Sequence, residues 1–172
     1  MPAVSMAEFN ALPRAEAVAR LLGCCSARAW AENIADARPF ADMGELLRVA
    51  SKAFRAIGTD DFRSGFEGHP RIGERPSAGH SVAHSKSEQA QVAGAQEDVL
   101  AQLATKNLEY ESKFGFVYLV FAHGRSAEEL LTILTDRLAN DADTEWRNAC
   151  TELQKITLHR LRQLVTDDRP AR

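Results

Sequence analysis

Apolar residues recur along most of this chain at helical spacing. Met43, Leu46, Leu47, Ala50, Phe54 and Ile57 share one face, with gaps of three and four residues as an amphipathic helix requires. Asp42 stands just before them as the expected N-cap, its carboxylate able to accept from first-turn N–H groups. The pattern stops at Gly58, the expected C-cap. Ser126, with Glu129 three residues on, forms a capping-box signature and opens a helix whose apolar face carries Leu130, Ile133, Leu134 and Leu138. A long helix is predicted over 143–165 and another from Ser85 through Val92, Leu100 and Leu103. Shorter helices are predicted over 14–22 and 27–35.

Only 114–122 (FGFVYLVFA) has the composition of a strand. One such run cannot build a sheet, because its edges would lack partners, so it is expected as a buried extended segment or part of a helix. The fold class is therefore all-α, a single-domain helical bundle over 1–172. The interruption is 66–84 (FEGHPRIGERPSAGHSVAH), which holds three of the five histidines, three glycines and two prolines without helical period. Irregular segments longer than about 12–15 residues are uncommon inside compact domains and are usually functional or disordered. This long irregular loop is the expected seat of the chemistry.

Composition narrows the function. With 172 residues, a net charge of −3 and a pI near 6.0, the chain does not look like a binder of nucleic acid. Its longest clean apolar run, 116–122, is far short of the roughly 20 residues of a spanning helix, so no membrane partner is expected. The N-terminal MPAVSMAEFN lacks the basic and apolar regions of a signal peptide, and the C-terminal DDRPAR lacks an S-K-L address. A cytoplasmic location is the expectation. Cys24, Cys25 and Cys150 have neither disulfide-framework nor zinc-module spacing and read as free thiols.

Candidate chemistry clusters at a few positions. His69 precedes Pro70, which pushes its backbone out of the helical region, and Gly68 and Gly73 flank the pair. An imidazole fixed there titrates near neutrality and can shuttle protons. Ser85 and Glu88 have capping-box spacing. A helix N-terminus there would offer free N–H groups to an anion, with Ser85, Glu88 and Gln89 lining one end of a polar pocket. Arg160 follows Leu153 and Ile156 and precedes Leu164 at steps of three, four and four, where leucine would continue the apolar stripe. A charge there calls for a buried carboxylate, a side chain that snorkels to solvent, or a ligand's carboxylate gripped in a dry pocket. His80 and His84 are four residues apart but lack a third ligand of suitable spacing, so no metal site is assigned. His123 and His159 read as structural.

Five stretches now stand in order: G-H-P-R-I-G at 68–73, S-x-x-E-Q at 85–89, Y-E-S-K-F-G-F at 110–116 with the apolar run after it, R-L at 137–138 before Asn140 and Glu145, and K-I-T-L-H-R-L at 155–161. This set resembles the OHCU decarboxylases over residues 6–165. Those enzymes act on 2-oxo-4-hydroxy-4-carboxy-5-ureidoimidazoline in the last step from urate to (S)-allantoin. The resemblance implies an all-helical, cofactor-free enzyme that is usually a homodimer. It makes His69 the catalytic acid, Glu88 the residue that orients it, and Arg160 the third catalytic residue, gripping an anionic or carbonyl oxygen. Substrate contacts are implied for Pro70, for Ser85, Lys86, Ser87, Glu88 and Gln89, for Arg160, and for the main chain of Tyr118, Leu119, Val120, Phe121 and Ala122. Val117 departs from the pattern, standing where some members have proline. The competing readings are a non-catalytic helical interaction module that docks through the histidine-rich loop, and a metal-dependent hydrolase using His80, His84 and a carboxylate.

Overall fold

A computed structural model describes residues 1–73 and 97–167. Two short strands and eight helices order these residues: β1 (Val4–Ser5), α1 (Met6–Ala11), α2 (Arg14–Leu22), α3 (Arg28–Asp36), α4 (Met43–Arg55), α5 (Thr59–Glu67), α6 (Glu97–Phe114), α7 (Ala127–Leu138), α8 (Ala142–Leu164) and β2 (Val165–Thr166). The all-α expectation holds, with one two-residue parallel pairing of β1 and β2 that sets Val4 opposite Val165. The chain divides into two compact units, one of Met1–Gly65 with Gln154–Arg172 and one of Phe66–Leu153.

In the first unit α2 packs on α3 and α3 on α4. Trp30 anchors that packing: it is fully buried, stacks on Phe54 at 5.4 Å and donates its indole N–H to the Ala50 carbonyl at 3.0 Å. A buried indole N–H needs such a partner. Arg38 donates to the Phe9 and Leu12 carbonyls, both at 2.8 Å, which satisfies acceptors that the end of a helix leaves open. Asp42 caps α4 as expected, accepting the Glu45 N–H at 2.8 Å.

Gly58 has a different place from the one its position suggested. Helix α4 ends at Arg55 with Ala56 as its cap. Gly58 instead opens α5: its carbonyl accepts the Phe62 N–H at 3.1 Å, and its N–H donates to Asp61 at 3.1 Å.

In the second unit α6 packs against α7. Their shared core holds Val99, Leu103, Tyr110, Leu130 and Leu134, together with Tyr118, Val120 and Ala122 from the connection between them. Gly115 ends α6 with φ +80, and its N–H bonds the Glu111 carbonyl at 2.8 Å. Glycine enters this left-handed conformation without a Cβ penalty. Ser126 and Glu129 form the predicted capping box of α7, with bonds of 3.2 and 3.3 Å. Of the stretch expected as a helix from Ser85, the residues from Glu97 form α6, and residues 85–96 lie outside the described residues. Among the described residues no helix is long and apolar enough to cross a membrane.

Candidate active site

Helix α5 stops at Glu67, and the His69 N–H donates back to the Phe66 carbonyl at 3.1 Å. Pro70 then forces the chain away from helix. Helix α6 holds the residues after the proline. Glu111 accepts from the Arg71 guanidinium at 2.6 Å, and Asn107 donates its amide to the Ile72 carbonyl at 3.2 Å. Ile72 buries its side chain in the core with Val99 and Leu103, and Gly73 turns the chain at φ +89. His69 is half-buried and its Nε2 is shielded from solvent. The imidazole thus sits on a loop pinned by an ion pair, a buried amide and an isoleucine anchor.

The connection 116–122 is the second feature. It is neither helix nor strand, yet Tyr118, Leu119, Val120 and Ala122 are buried. Tyr118, Val120 and Ala122 enter one core cluster, a two-residue alternation that marks extended chain. Buried backbone groups need partners, and here side chains supply them along one edge. Arg137 donates to the Leu119 carbonyl at 2.6 Å. Glu152 accepts the Phe121 N–H at 2.9 Å, and Arg125 donates to the Phe121 carbonyl at 3.2 Å. In extended chain a residue's N–H and C=O share an edge and its neighbours' lie on the other, so Val120 presents its own to the opposite edge. Among the described residues none hydrogen-bonds to the Val120 main chain.

Arg137 belongs to a buried polar network. Its Nε lies 2.9 and 3.2 Å from the two Glu145 oxygens, and Nη2 donates to the Tyr110 hydroxyl at 3.2 Å. Tyr110 in turn donates to Glu145 in a very short bond. Asn140 and Asn148 donate to the same carboxylate at 2.9 and 2.8 Å. Burial alone would raise the Glu145 pKa, but bonds from Arg137, Tyr110, Asn140 and Asn148 hold it below the usual carboxylate range. Burial opposes the Arg137 charge, and the Glu145 hydrogen bond and nearby phenols outweigh it, so its pKa lies above the ordinary value. Burial pushes the Tyr110 and Tyr118 phenols well above theirs.

Arg160 lies in the other compact unit, on α8. Leu153, Ile156, Arg160 and Leu164 are all buried, so the arginine does stand in the apolar stripe, and one of its donors reaches the Cys24 carbonyl at 3.2 Å. Cys24 and Cys25 are buried free thiols and Cys150 is half-buried. Burial raises the Cys25 thiol and pushes Cys150 up to about 11. Ser85, Lys86, Ser87, Glu88 and Gln89 lie outside the described residues, as do His80 and His84. His123 is exposed with its ring 6.0 Å from Phe121, and His159 stands 3.2 Å from the Gln163 amide.

The family model described as OHCU decarboxylase matches residues 10–162. The chain belongs to the OHCU decarboxylase family. It is 30% identical over 148 residues to a uric acid degradation bifunctional protein of Arabidopsis thaliana, covering 84% of this chain and 46% of that one. It is 28% identical over 131 residues to the 2-oxo-4-hydroxy-4-carboxy-5-ureidoimidazoline decarboxylase of Amia calva, covering 74% and 75%. A crystal structure of OHCU decarboxylase in the presence of (S)-allantoin superposes with a TM-score of 0.75 at 28% identity, covering 85% of this chain and 96% of that one. The chain spans less than half the length of the bifunctional relatives it matches, 46% and 32% for two of them.

Within this member of the family, the Arg137–Glu145–Tyr110 network and the Asn107 anchor have no role assigned from sequence. A signal was present. Ala127, Leu130, Leu134 and Arg137 form the buried stripe of α7, just as Arg160 interrupts that of α8. Glu145 likewise precedes buried Ala149 and Leu153 at steps of four, and Asn107 follows Val99 and Leu103 at steps of four.

Proposed function

We propose that this chain decarboxylates 2-oxo-4-hydroxy-4-carboxy-5-ureidoimidazoline to (S)-allantoin and CO₂ in urate catabolism. The observation that carries this reading is the family match over 10–162, which takes in His69, the 85–89 stretch, the 118–122 segment and Arg160. In the reaction the bond to the carboxylate breaks and CO₂ leaves. Its electron pair joins the adjoining carbon as the ring C=N pair passes to nitrogen, which takes up a proton; the hydroxyl carbon becomes a carbonyl as its proton departs, and a proton is added to the ureido-bearing carbon. The substrate's own C=N is the electron sink, so the reading requires no pyridoxal phosphate, thiamine or metal.

His69 is the proton donor, held by the Phe66, Glu111 and Asn107 contacts of its loop, with Nε2 kept from bulk water. Glu88 orients the imidazole and favours its charged form. Arg160 binds an anionic or carbonyl oxygen through charge-assisted hydrogen bonds. Pro70, the stretch Ser85 to Gln89 and the main chain of 118–122 complete the substrate contacts. Addition of the proton to one face accounts for a single enantiomer. The working form is a homodimer in the cytoplasm.

His69→Asn tests the assignment. The variant should keep the far-ultraviolet spectrum of the parent and lose roughly 10²–10⁴-fold in the rate of allantoin formation from freshly oxidised urate. A folded variant that works at the parental rate would remove His69 from the mechanism.

A further inference from the structure

We infer that Arg137 is a positioning residue, whose grip on the Leu119 carbonyl fixes the 118–122 main chain in the form that meets the substrate. The inference rests on the ligand-binding reading of that segment and goes beyond it, because Arg137 itself sits on the far edge. Three observations converge on it. Arg137 is 8% exposed and Glu145 not at all. Such a pair is weak evidence for stability, since apolar replacements of similar volume often fold as well. Its value must then lie in what it holds.

The planar guanidinium is fixed from three helices: its own α7, Glu145 of α8 and Tyr110 of α6. With Nε and Nη2 engaged there, Nη1 is aimed at one outside acceptor, the Leu119 carbonyl at 2.6 Å. A rigid fork transmits position in a way a flexible ammonium cannot. On the same edge Glu152 takes the Phe121 N–H. The protein therefore takes the Leu119 carbonyl and both main-chain groups of Phe121 on this edge, while among the described residues none takes the Val120 N–H or C=O on the other. Val120 is 4% exposed, and buried main-chain groups without protein partners are rare in folded proteins. They are groups kept for a ligand, and Arg137 sets where they point.

Arg137→Lys tests this, because lysine keeps the charge beside Glu145 but loses the fork. Two readouts are taken: amide hydrogen exchange of 118–122 in the ligand-free protein, and KM and kcat with freshly oxidised urate. The variant should exchange these amides faster and raise KM by roughly 10- to 100-fold, the loss of one charge-assisted hydrogen bond. Its pH profile should match the parent's, since His69 is untouched. Ile34→Ala, a core truncation in the other compact unit, should lower Tm without changing exchange at 118–122. Parental exchange and KM in folded Arg137→Lys would overturn the inference, as would the same changes in Ile34→Ala. If Arg137→Lys does not fold, the double variant Arg137→Met with Glu145→Leu carries the same test, and failure of both to fold makes the pair merely structural and overturns the inference. Inactivity of the parent protein would count against the decarboxylase reading alone, while the exchange data still decide the role of Arg137.

Discussion

Glu145 shows how much one buried carboxylate can govern. It receives four side-chain donors, Arg137, Tyr110, Asn140 and Asn148, and has no exposed surface. Truncating it to alanine would strand the Arg137 charge, a loss of about 3–5 kcal/mol measurable by urea unfolding. Its pH behaviour comes from the direction of its shift. The folded pKa lies below the ordinary value, about 4.3 for an unfolded glutamate. The stabilisation is thus full above that value and is lost as the pH falls through the lower, folded pKa. Thermal scans from pH 7 downward should show the parent losing Tm in acid more steeply than Glu145→Gln. Parallel curves would mean that the carboxylate charge is not what holds the network.

Elements were legible where local chemistry wrote their ends. Asp42 and the Ser126–Glu129 box stand where the sequence placed them, because a cap depends on residues three apart and on nothing distant. Ser126→Ala should accordingly cost about 0.5–2 kcal/mol, read as a lower denaturant midpoint, and unchanged stability would show that α7 is held by packing alone. Helix α1 has six residues, too few to show a period. Helix α5 carries only Phe62 and Phe66 as large apolar residues. Gly58 misled because glycine serves both ends of a helix, and what separates them is the Asp61 bond, visible only in three dimensions. The extended reading of 114–122 holds for its latter part, since Phe114 still ends α6.

At the scale of the molecule, the sequence exposes residues that break a pattern and hides those that complete a contact. His69 was visible because proline and glycines surround it, and Arg160 because a charge interrupts a stripe. Arg137 stands in a buried stripe just as Arg160 does, yet its partners Tyr110, Leu119 and Glu145 lie on separate elements, and no local period joins them. Under the proposed function these pieces serve one reaction, the decarboxylation of a ureidoimidazoline with a proton added to one face. Circular dichroism of the allantoin formed from freshly oxidised urate tests that claim most directly. With the protein present, the signal of (S)-allantoin should rise faster than the spontaneous reaction forms product. Optically silent product, formed at the same rate with and without the protein, would contradict it.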